Sequence, residues 1–137
     1  MNYWLIKSEP FKYSWDDLAR DGRTYWDGVR NAQARNNLQE MKRGDLCLYY
    51  HSNQGKEIVG IARVVKSAYP DPTTEDPRWV VVDVVPRVRL ARSVPLSELR
   101  TGSATSGMAV VRQSRLSVSP VRPAEFRAVL KLGETRI

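Results

Sequence analysis

Three short stretches of this 137-residue chain mix aromatic rings with polar groups in a way that neither helices nor strands require. Tyr3 and Trp4 adjoin Lys7-Ser8-Glu9-Pro10. Tyr25 and Trp26 open onto WDGVRN, which ends at Asn31. Tyr49 and Tyr50 run directly into His51-Ser52-Asn53. Each stretch falls at a strand or loop end, so a curled sheet could bring the three together. Rings to stack on, with a few donors and acceptors beside them, are what a flat heterocycle needs from a pocket. Stacking of this kind contributes about 1–3 kcal/mol per base. Taken singly, each aromatic is better read as core; the clustering with polar groups carries the binding reading.

Catalytic chemistry has less to stand on. The chain holds no GxSxG elbow, P-loop, HExxH helix or GxGxxG turn after a strand. His51 is the single imidazole, and Cys47, the single thiol, lies in an apolar run that reads as core. Glu9 with Asp16 or Asp17 would make a carboxylate pair, but Asp16 and Asp17 belong to the first turn of a helix, where they favour its dipole. One rival to a binding module stays open: an enzyme or small-molecule binder acting on a free nucleoside, with Glu9 and His51 as acid and base. One histidine and one cysteine do not make a Cys/His zinc site without carboxylates or a second subunit, so neither metal nor cofactor is expected.

The elements that must position these residues follow from pattern. Residues 3–7 read as a strand stopped by Pro10. Residues 14–22 read as a short helix with Ser14 as N-cap, Asp17 three residues on and Gly22 as C-cap. Residues 32–41 predict a second helix, with Ala34, Leu38 and Met41 on one face. Strands are expected over 46–51, over 58–66 with Gly60 as a bulge, and over 79–90 with a break at Pro86. The stretch 70–77 is acidic, Pro-rich and irregular. A helical turn over 95–100 begins with Pro95, strands are expected over 108–112 and 115–119, and a final helix over 123–133. Together these make one α+β domain, residues 1–137, with a sheet curled toward a small barrel.

Composition limits the setting. No run approaches the ~18 apolar residues of a membrane span, and the N-terminal MNYWLIKSEP is expected to be neither a signal nor a transit peptide. The lone cysteine suggests a reducing, cytoplasmic setting. Net charge is +7 and unevenly spread: residues 1–60 hold nine Lys/Arg against eight Asp/Glu, residues 61–137 thirteen against seven. Arginine supplies sixteen of the twenty-two cations, and its planar fork suits phosphate. Such a balance is compatible with a nucleic-acid partner.

Longer strings then point to a family. YWLIKSEP, WDGVRNAQARNNLQEMKRGD, YYHSN, VGIARVV, YPD and RLSV, in order from Tyr3 to about Val121, closely resemble the EVE-domain family of the PUA-like superfamily. The resemblance implies a pseudo-barrel of mixed β-sheet with short flanking helices. It also implies a non-enzymatic reader of modified bases in DNA or RNA, with modified cytosine such as 5-methylcytosine the leading candidate. Carried onto this chain, the matching pocket positions are Lys7, Ser8 and Glu9; Trp26, Arg30 and Asn31; and His51 with Ser52. Trp79 is a further candidate outside any specific motif. Within WDGVRN, Trp26 is expected to stack on the base and Gly28 to permit a tight turn. Asp27 and Arg30 are expected to pair, and Asn31 to cap the following helix or to donate to a base edge. Arg87, Arg89, Arg112 and Arg115 are expected to hold the nucleic-acid backbone.

Overall fold

The computed structural model describes every residue from Met1 to Ile137. Its architecture follows from alternation along the strands. In β1 (Tyr3–Ser8), Trp4 and Ile6 join one core while Leu5 joins another. In β3 (Leu46–His51), Cys47 and Tyr49 belong to the first core, and Leu46, Leu48 and Tyr50 to the second. Both faces of the sheet are therefore covered, which is why LCLYY is continuously apolar. β1 and β3 pair in parallel. The long β4 (Glu57–Pro70) and β5 (Val80–Pro95) pair antiparallel, with β2 (Thr24–Tyr25) and β6 (Val118–Val121) at the two edges. The order is β2-β5-β4-β3-β1-β6, a mixed six-stranded sheet that does not close.

Helices cover each face. On the first, α1 (Trp15–Asp21) contributes Trp15 and Leu18, and α2 (Ala32–Glu40) contributes Ala34 and Leu38. On the second, α3 (Leu96–Thr101), α4 (Ala109–Arg112) and α5 (Pro123–Leu132) contribute Leu99, Val110, Phe126 and Val129. This is the α+β class expected, with short helices flanking a mixed sheet. The caps of α1 are those its sequence predicts: Ser14 and Asp17 form a reciprocal capping box, and Gly22 closes the helix at φ 76°.

Irregularities bend the sheet where the sequence marks them. The ladder slips between Ile58 and Gly60, and Gly60 is required for a steric reason: a Cβ there would lie 2.7 Å from the Trp15 ring. The break expected at Pro86 is a bulge at Arg87, after which β5 continues to Pro95. Two expected strands are corrected. Residues 108–112 form a helical turn, held by Arg112 N–H donating to Met108 O and Gln113 N–H to Ala109 O. The strand expected over 115–119 instead starts at Val118, where it meets Ile6 of β1. The valines of 110–111 favour strand, but β6 occupies the edge beside β1, and packing overrides propensity. Pro95 precedes α3 as its cap instead of opening it, and β2 is too short to leave a pattern.

Candidate functional site

The end of β1, the turn after it, the start of WDGVRN, the loop after β3 and the segment before β6 converge on one cleft of about 620 Å³. Parallel pairing sets this up, since β1 and β3 both deliver their carboxyl ends to the same side. Lys7, Ser8 and Glu9 come from the first strand end, Ser52 and Asn53 from the second. The backbone N–H of Ser52 donates to Ser8 O at 2.9 Å, fastening the two ends together. Trp26, Asp27 and Gly28 line another wall, and Ser114, Arg115 and Ser117 face them. Gly28 sits at φ 75° with nothing near a notional Cβ, so its role is the left-handed turn itself.

The floor is one backed ring. Trp26 is only 7% exposed, and its backbone N–H donates to Val82 O at 2.8 Å. Its ring meets Tyr49 edge-on at 5.3 Å, and Tyr49 meets Trp15 at 5.4 Å and His51 at 5.8 Å in the same manner. Burial pushes the Tyr49 phenol well above its ordinary value, so it remains a donor, and it donates to Tyr13 O at 2.9 Å. Trp26 is thus held by a packed network and presents only a small part of its surface to the cleft.

The walls are polar. Of the fifteen lining residues only Tyr13, Tyr25 and Trp26 are aromatic. Lys7 Nζ donates to Ser114 O at 2.8 Å and lies 5.8 Å from the Tyr50 ring centroid; burial lowers its pKa from the usual lysine value. Glu9 and Lys12 approach only to 3.9 Å, a solvated pair of little energetic weight. Asp27 and Arg115 are exposed at the rim. Lysine and arginine beside carboxylates, above one indole, suit a polar heterocycle attached to an anionic chain.

Of the residues anticipated for the pocket, Trp26, Lys7, Ser8, Glu9 and Ser52 line it together, and Arg115 joins them. Four others are placed elsewhere. Asn31 caps α2, its Oδ1 accepting from Ala34 N–H at 3.0 Å. Arg30 does not pair with Asp27; its Nη1 reaches Asp71 at 3.0 Å and ties WDGVRN to the loop before β5. Burial alone would raise Asp71, but Thr73 and Arg30 donate to its carboxylate and hold it below the usual range. Trp79 lies within 5.3–5.8 Å of the guanidiniums of Arg78, Arg30 and Arg35, away from the cleft lining. His51 turns to α1: its Nε2 accepts from Trp15 N–H at 3.0 Å, so the ring proton sits on Nδ1.

The remaining arginines are dispersed. Arg89 pairs with Asp16 at 2.9 Å, Arg112 Nε donates to Ser106 O at 3.1 Å, and Arg87 stands exposed in its bulge. Tyr25, Asp27, Gly28 and Asn53, noted within their motifs but not assigned to the base, also line the cleft; the lining residues that the sequence did not single out are Lys12, Tyr13, Thr24, Ser114 and Ser117. Most are neighbours of a motif, and adjacency was the only available signal. Ser114 carried none, and Ser117 lies in RLSV, which bears only on the family resemblance; both reach the cleft because β6, just after them, pairs with β1.

Comparison with known proteins agrees with this fold. The EVE-domain family model matches residues 2–132. Mouse thymocyte nuclear protein 1 is 39% identical over 98% of this chain and 74% of its own length. A crystal structure of an Agrobacterium tumefaciens protein superposes with a TM-score of 0.96 at 40% identity, covering 98% of this chain and 94% of that one. The human THYN1 protein, solved in complex with 5-methylcytosine-containing DNA, superposes at 0.90 with 36% identity over 100% of both chains. A yeast YTH domain from Zygosaccharomyces rouxii, at 17% identity and 0.59 over 98% of this chain and 88% of its own, shares the fold alone. With nearly its whole length matched, the chain belongs to the EVE-domain family.

Proposed function

We propose that this chain is a non-enzymatic nucleic-acid reader that receives a modified base, 5-methylcytosine in DNA first, into the cleft over Trp26. The observation that carries the reading is the cleft itself: one rigidly backed indole, surrounded by donors, carboxylates and cations that converge from four chain segments. A cytosine offers its exocyclic amine as a donor, and a carboxylate is its natural acceptor. Asp27, exposed and next to Trp26 in the chain, would accept it, and Glu9 is the other carboxylate of the lining. Lys7, Lys12 and Arg115 supply the charge that draws in phosphates, while Arg87, Arg89 and Arg112, dispersed outside the lining, would meet the backbone only beyond the cleft. The similarity to the human protein solved with 5-methylcytosine DNA supports the same class of ligand. Residues 1–137 act as one unit in this reading.

The acid–base alternative requires Glu9 and His51 to act together. His51 Nε2 is already engaged by the α1 backbone, so the imidazole is an anchor of the fold and not a base facing the cleft. No helix is long and apolar enough to cross a membrane. We place the protein in a reducing compartment that holds nucleic acid; the animal relatives carry the word nuclear in their name, which favours this over a strictly cytoplasmic setting. The test is anisotropy with single strands carrying cytosine, 5-methylcytosine or N6-methyladenine at two salt concentrations. A preference for the 5-methylcytosine strand that survives higher salt is expected. Equal binding of all three, lost with salt, would reduce the cleft to a basic surface.

A further inference from the structure

Four large apolar side chains are exposed. Two are the terminal residues Met1 and Ile137; the others are Phe11, 66% exposed, and Tyr25, 43% exposed. Single exposed apolar residues are ordinary, but these two are set in segments that line the cleft. Tyr25 lines it directly, and Phe11 stands in the turn whose two flanks, Glu9 and Lys12, line it as well. That turn is built to hold a ring outward. Pro10 fixes its second position, and the N–H groups of Lys12 and Tyr13 both donate to Glu9 O, at 2.9 and 3.0 Å. Its base is pinned by Lys7 N–H donating to Ser117 O, by Tyr49 Oη donating to Tyr13 O, and by Tyr13 Oη donating to Asp21. The phenyl is carried outward at the tip of this turn, directly before Lys12, in a segment bordering a lining that also holds Lys7 and Arg115.

We propose that Phe11, with Tyr25 of the cleft lining, is the wedge that fills the stack vacated when a base leaves duplex DNA for the cleft. This rests on the reading of the cleft as a base pocket. A base drawn from a duplex leaves its neighbours unstacked at a cost of a few kcal/mol, and proteins that open a base stack insert apolar side chains of this type. A single strand has no such gap, so the wedge matters only for duplexes.

The experiment compares wild type, Phe11→Ala and Phe11→Leu on two probes. One is a duplex with a single 5-methylcytosine flanked by 2-aminopurine; the other is the same modified strand alone. Because Phe11 is exposed, the variants are expected to melt as wild type does. Phe11→Ala is expected to lose about tenfold in duplex affinity and much of the 2-aminopurine response, with less than about a twofold change on the single strand. Phe11→Leu, which keeps an apolar wedge, is expected to retain most of the duplex affinity. Equal losses on both probes, or no loss on the duplex, would overturn the wedge. The cleft reading is scored separately, by wild-type preference for modified over plain single strands. If that preference holds while the duplex-to-single-strand ratio ignores Phe11, the wedge alone fails; if it is absent, the cleft reading falls and takes the wedge with it.

Discussion

The floor and the rim of the cleft are made of the same residue types under opposite constraints. The floor is Trp26 leaning on Tyr49, which leans on Trp15, all at 7% exposure or less. The rim holds Phe11, Tyr25, Asp27 and Arg115, all exposed. An aromatic ring in the floor is part of the core and happens to reach the cleft; an aromatic ring on the rim has no packing reason to be there. Substitutions in the floor should therefore register first as lost stability, and substitutions on the rim as lost binding with the fold intact.

The sharpest break of this contrast is Trp26→Ala. It is expected to destabilise the fold by about 3–5 kcal/mol, as large-to-small changes in a packed core do, read as a lowered midpoint in denaturant. A melting curve like wild type would move Trp26 out of the floor. Gly60→Ala comes next. Its new methyl meets the Trp15 ring at 2.7 Å, and overpacking of this kind costs about 1–3 kcal/mol. Calorimetry should show that loss, because backbone and indole must both shift.

On the rim, Asp27→Asn should leave stability within about 0.5 kcal/mol. It should weaken binding of a 5-methylcytosine strand by about 1–3 kcal/mol, because the charged acceptor for the exocyclic amine becomes a neutral amide with one oxygen replaced by a donor. Unchanged affinity in titration would assign that acceptor to another group. Arg115→Ala is a smaller change, lowering affinity for all sequences alike and reducing the slope of log affinity against log salt by about 1. A change in base preference would instead place the Arg115 guanidinium on the base.

Acidification tests the anchoring of the floor. Burial lowers His51 below its ordinary 6.5, with Glu57, Arg89 and Asp16 modulating it, and its Nε2 must stay unprotonated to accept from Trp15. A folded pKa below the unfolded one means that the unfolded chain binds the proton more readily. The stability this group contributes is complete above 6.5 and declines as pH falls below it. Chemical denaturation at pH 7.5 and 5.5 should show a lower midpoint at 5.5, and His51→Gln should flatten the difference. Asp45 adds a second loss further down. Burial opposes its ionisation, but Trp4, Lys42 N–H and Asn2 N–H donate to it and keep its pKa below 3.8, so its contribution disappears only at strongly acid pH.

The helices with legible caps, Ser14 to Gly22 and Pro123 to Gly133, could be read directly, as could the apolar strands 46–51 and 58–66. Residues 108–112 could not, because the valines favour a strand and only the occupation of the edge by β6 decides otherwise. The cleft shows the same division. Lys7, Ser8, Glu9, Trp26 and Ser52 lie in motifs, and the structure brings them into one lining. Asp27 was assigned to Arg30, because nothing local announces that Arg30 prefers Asp71, forty-one residues away. Sequence shows which residues are unusual for their element; which of them face one another depends on long-range pairing.

The four tryptophans supply the most direct test, because each indole N–H is a separate probe in a nitrogen-15 spectrum. Trp26 is at the floor, Trp15 behind it, Trp4 is bonded to Asp45 and Trp79 stands among arginines. On titration with a short 5-methylcytosine single strand, the Trp26 signal is expected to move most, Trp15 less, and Trp4 not at all, with smaller shifts for the unmodified strand. Binding that shifts Trp79 while leaving Trp26 in place would contradict the account, because the ligand would then be on the arginine cluster and the cleft would be empty of it.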